Sequence, residues 1–115
     1  MTPDCLNHVS EAAKILTGQS GTAKENLAKA GQHFWSALMY IESWPPNLAE
    51  KAQQISRRFM EHGTVESTAN MLDPDTATAR VKELAESVSS LAAEIELAVR
   101  EGRLALQNRP SLYRF

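Results

Sequence analysis

The chain is 115 residues long, 43% hydrophobic and 23% charged, which suffices for one domain with its own core and excludes a disordered tail. Its formal net charge of −2 and pI near 5.9 give no global attraction to nucleic acid or to an anionic membrane. A lone cysteine, Cys5, excludes an intramolecular disulfide and a paired-cysteine zinc site.

A first helix is expected over about residues 3–17. Thr2 supplies a cap, Pro3 suits the first helical position, and Asp4 complements the positive end of the helix dipole. Cys5, Val9, Ala12 and Leu16 then recur at helical spacing until Gly18. After a short loop, Thr22 and Glu25 have the spacing of a capping box and open a long helix over about 22–43. Its apolar stripe is Ala23, Leu27, Ala30, Phe34, Ala37, Ile41 and Trp44. Trp44-Pro45-Pro46 closes it, because a residue before proline avoids the α region and Pro45 has no amide hydrogen.

The next helix is expected over about 46–62, with Asn47 and Glu50 as a second capping pair and Leu48, Ala52, Ile55 and Phe59 as its buried face. Gly63-Thr64 interrupts the pattern, and residues 64–71 have room for an extra turn or two. Asp73-Pro74 is a restart signal. The last helix, about 74–105, carries Val81, Leu84, Val88, Leu91, Ile95, Ala98, Gly102 and Ala105 at alternating spacings of three and four. Ala85, Ala92 and Val99 widen that seam to a face suited to burial against two neighbours.

The expected fold is therefore all-α: an antiparallel up-and-down helical bundle of three long helices and a shorter amino-terminal one. Residues 1–105 form the single domain, and 106–115 a basic, aromatic tail. The longest apolar run, Ala37–Ile41, is far too short to cross a bilayer, and the amino terminus does not read as a secretory signal. The expected location is cytoplasmic.

Motifs that carry chemistry are scarce. Cys5, His8 and Glu11 follow one another at i, i+3 on the first helix, and His62 and Glu66 are four apart across a break. Neither a HExxH pair nor the Glu-x-x-His repeats of di-iron bundles occurs, so no metal or cofactor is expected. His33 lies away from its helix's stripe. Phosphotransfer domains of response-regulator relays usually follow their histidine with lysine and glycine, whereas Phe34-Trp35-Ser36-Ala37 follows here. Phe59–Leu72 reads as helix, turn, helix, yet Thr64–Leu72 holds Glu66 and no lysine or arginine to meet a phosphate. Arg57 and Arg58 alone make nucleic acid a disfavoured partner. No glycine-flanked nucleophile, P-loop or dinucleotide fingerprint is present, so no catalytic residue is assigned.

What remains is apolar surface. Trp35 and Met39 stand four residues apart beside the stripe of the second helix, with Trp44 at the proline corner. Tyr113 and Phe115 add aromatics in the tail. Either the second helix is buried on more than one side, or these residues form a protein–protein interface. The functional expectation is a non-enzymatic interaction or regulatory module that binds another protein or itself as a homodimer. A ligand- or metal-binding bundle using His8, His33 and an interhelical cleft is the alternative, and a nucleic-acid-binding regulator comes third.

Overall fold

The computed structural model describes residues 4–18, 21–39, 41 and 44–102, with backbone alone at residues 4 and 5. Among the described residues the chain forms five helices and no strand: α1 (Asp4–Thr17), α2 (Ala23–Leu38), α3 (Pro46–Phe59), α4 (Val65–Met71) and α5 (Pro74–Arg100). The expected cap at Thr2, the side chain of Cys5, and the 106–115 tail with Tyr113 and Phe115 lie outside the described residues.

Side-chain pairs fix the helix directions. Lys51 of α3 meets Glu94 of α5, and two turns later Arg58 meets Glu83, so α3 and α5 run antiparallel. Leu16 and Thr17 at the end of α1 share a groove with Thr78 and Val81 near the start of α5. His8, early in α1, faces His33, late in α2. Lys24 at the start of α2 acts electrostatically on Asp73, the cap of α5, so these two run parallel. The result is a central α2–α5 pair, with α1 along one side and α3 with α4 along the other. The four longer helices alternate in direction, as an up-and-down bundle requires.

Several helix ends follow the local signals. Thr22 accepts from the Glu25 N–H at 3.2 Å and the Glu25 carboxylate accepts from the Thr22 N–H, which completes the capping box. Asp73 accepts from the Thr76 N–H at 3.3 Å, with Pro74 as the first residue of α5. Other ends differ from expectation. α2 stops at Leu38 rather than near 43; the chain then turns through a Trp44 N–H to Ile41 carbonyl bond of 3.1 Å, and Trp44 enters the core. Asn47 and Glu50 do not cap α3. The helix starts at Pro46, and the Leu48 and Ala49 amides both donate to the Pro45 carbonyl. α3 ends at Phe59 rather than near 62 and α5 at Arg100 rather than near 105, and α1 equals α3 at 14 residues.

The segment near 64–71 is a helix of 7 residues, held by a reciprocal pair of bonds between Thr64 and Ser67. Serine takes the place that glutamate fills in the usual capping box, which weakens the signal in the sequence.

One core cluster joins all five helices. Val9, Ala12 and Leu16, then Leu27, Ala30, Phe34 and Ala37, then Leu48, Ala52, Ile55 and Phe59 are buried as their spacing indicates. On α5 the buried line is Ala77, Arg80, Leu84, Val88, Leu91, Ile95 and Ala98. Arg80 thus replaces Val81 in the seam, and Val81 is half-buried. The reason lies across the interface. Arg80 donates to the Arg58 carbonyl at 2.9 Å, in the last turn of α3 where carbonyls lack intrahelical partners. Its cation also suits the negative end of that helix and lies 3.4 Å from Glu61.

Gly31 sets the closest helix approach. A Cβ there would lie 2.3 Å from Val65 Cγ1, 3.0 Å from Val65 Cγ2 and 3.2 Å from Phe59 Cδ1. Phe59 itself packs on Phe34 with ring centres 5.5 Å apart. Glycine inside a helix costs about 1 kcal/mol relative to alanine, yet here alanine would force α4 off α2. Urea denaturation of Gly31→Ala is expected to show a loss of about 1–3 kcal/mol, the opposite sign to an ordinary helical glycine. Val65→Ala in the same chain should recover much of that loss.

Candidate functional site

The close approach at Gly31 positions a groove one helical turn further along α2. Gln32, Trp35 and Ser36 form one wall; Met60, Gly63 and Thr64 from the α3–α4 turn and Val65 and Glu66 of α4 form the other. The groove encloses about 520 Å³. Trp35 is 57% exposed. Phe34 points into the core, and a helix rotates about 100° per residue, so the next side chain is carried off the buried face.

The polar groups of the groove are already engaged. Gln32 Nε2 donates to Glu66 Oε1 at 2.8 Å and ties α2 to α4. Ser36 Oγ donates to the Gln32 carbonyl of its own helix. The Thr64 and Ser67 hydroxyls are occupied with capping. Trp35, Met60 and Val65 therefore offer carbon surface, and the indole N–H is a donor on an exposed side chain. Among the described residues, Glu66 is the one charged group lining the groove. This arrangement suits recognition of an apolar side chain better than acid–base or nucleophilic chemistry.

The other residues expected at an interface are placed differently. Met39 is half-buried and packs on the core. Trp44 is 5% exposed and belongs to the core; its indole N–H is buried without an acceptor among the described residues. Among the described residues two further large apolar side chains are exposed, Met71 at 66% and Leu97 at 48%. Met71 sits at the end of α4 away from the groove and Leu97 lies on α5, so they stand apart from Trp35. The sequence contained no local sign of the groove, because its second wall comes from residues about 30 positions away.

Two charged or titratable clusters lie elsewhere. Arg58 Nε and Nη2 donate to the two Glu83 oxygens, each at 2.7 Å, and Nη1 donates to Glu61 at 2.9 Å. Arg58 is thus occupied in bracing α3 on α5. Hydrogen bonding from Arg58 holds the Glu83 carboxyl below its ordinary range, and the same bonds push the Arg58 guanidinium up. The second cluster is a pair of histidines, His8 of α1 and His33 of α2, with ring centres 5.9 Å apart. Among the described residues, no group of three or more histidine, cysteine, aspartate or glutamate side chains converges as a metal site. No helix among them is long and apolar enough to cross a membrane.

Comparison with known proteins finds no matching family model, no similar curated protein and no similar solved structure.

The Arg58–Glu83 pair has a pH signature. A carboxyl whose folded pKa is depressed adds stability above its unfolded pKa, near 4, and that stability is lost as pH falls through the lower folded value. Asp73 shifts in the same direction, mainly through its hydrogen bond with Thr76. Stability measured by urea titration should therefore fall between about pH 5 and pH 3. Glu83→Gln should flatten part of that fall, by about 0.5 kcal/mol, since both partners are more than a third exposed.

Proposed function

We propose that this protein is a non-enzymatic interaction module, acting in the cytoplasm, which binds another protein or a second copy of itself through the groove between α2 and α4. The observation that carries this reading is the exposure of Trp35 at the edge of a largely apolar groove whose polar groups are already paired. A large aromatic beside a concave apolar surface has the composition of an interface hot spot, because it buries much area at a small cost in rotamer entropy.

The nucleic-acid reading gains little support. Arg58 is bound to Glu83 and Glu61, and α4 carries Glu66 but no basic residue. The ligand-binding alternative retains one specific observation, the histidine pair, developed below.

The test pairs stability with association. Trp35→Ser removes an exposed side chain, so its unfolding free energy should stay within about 0.5 kcal/mol of the unsubstituted protein. Sedimentation velocity over a concentration series, together with affinity capture from the native cell, should show self-association or specific partners weakened at least tenfold in that variant. A strict monomer whose captured proteins are the same with and without Trp35 would sink the reading.

A further inference from the structure

The histidine pair lies on the other flank of α2, and neither the core nor the groove explains it. His8 and His33 come from different helices and are both half-buried. Their rings are tilted by 35° with centres 5.9 Å apart, and they line a groove of about 300 Å³ with Ile15, Lys29, Gln32 and Ser36. Gln32 is turned to Glu66 and Ser36 to its own helix carbonyl, which leaves the ring nitrogens of the two imidazoles facing this groove.

We infer that His8 and His33 together bind one divalent d-block cation, bridging α1 and α2. An ion about 2.1 Å from an imidazole nitrogen lies roughly 3.2 Å from that ring's centre, so two rings sharing it have centres at most about 6.4 Å apart. The observed separation is inside that limit. Imidazole nitrogen selects copper, nickel or zinc over magnesium or calcium, which prefer oxygen. Since no third histidine, cysteine or acidic side chain converges among the described residues, water completes the coordination shell. Both rings are held by helices that already pack on each other, so binding does not have to order the chain. Among the described residues, Lys29 is the one charged residue lining the groove, and it opposes the ion.

Isothermal titration of the purified chain with nickel, zinc or copper chloride at pH 7.5 tests this, with magnesium as the control ion. One equivalent is expected to bind, and chelation by EDTA should reverse it. His8→Gln and His33→Gln should each weaken binding at least tenfold, and the double variant little more, because one ring alone has no chelate to lose. His62→Gln, at the α3–α4 turn, should bind as the unsubstituted protein does. Lys29→Gln should tighten binding by removing a like charge. Circular dichroism of each variant separates lost binding from lost folding. Substoichiometric copper should also broaden the ring resonances of His8 and His33 together while sparing His62. Binding that survives both single substitutions, or that follows His62, would overturn the proposal. Weakening by Lys29→Gln would contradict it too, because removing a like charge from the lining cannot weaken a cation held by the two imidazoles.

Discussion

Where Gly31 lacks a side chain, Val65 of α4 and Phe59 of α3 fill the space against α2. Much of the α2–α3–α4 side depends on this contact. It brings a helix of only 7 residues, too short to be stable alone, onto a scaffold that holds it. With α4 seated, the α3–α4 turn becomes the second wall of a groove along α2. Trp35 is then left at the edge of that groove, one turn beyond the glycine.

A second constraint holds the other end of the same unit. The carbonyls at the end of α3 need partners once that helix stops at Phe59, and Arg80 supplies one from within the apolar seam of α5. A buried guanidinium is costly unless fully engaged. Here its contacts with the Arg58 carbonyl and Glu61 offset that cost, while Arg58 continues the chain of charges to Glu83. The polar network fixes the register of α3 on α5, and Lys51 with Glu94 repeats the constraint toward the other end. Position and direction of the α3–α4 turn follow from these contacts together with Gly31.

The features legible in the sequence were those encoded within a few residues. Thr22 with Glu25, Asp73 with Pro74, and the apolar lines from Val9 to Leu16, Leu27 to Ala37, Leu48 to Phe59 and Leu84 to Ala98 appear where local spacing puts them. Arg80 was not legible, because the carbonyl that draws it inward lies 22 positions earlier. Nothing local singles out Gly31 in the sequence, since the side chain that needs its space is Val65. The roles of the two tryptophans were undecidable from spacing alone: Trp44 leaves the helical path and enters the core, while Trp35 stays on the helix and faces outward. His8 and His33 were paired in the sequence only as an alternative reading, and it is the α1–α2 packing that sets their rings 5.9 Å apart.

The central claim is that the α2–α4 groove is the working surface of this protein. Site-specific photo-crosslinking inside the native cell addresses it directly, with a benzophenone side chain at Ser36 in the groove and, separately, at Ser89 on the exposed side of α5. The groove position should give a discrete crosslinked species, either a partner adduct or a dimer, that the Ser89 position does not. Equal adducts from both positions, or none from Ser36, would contradict the claim.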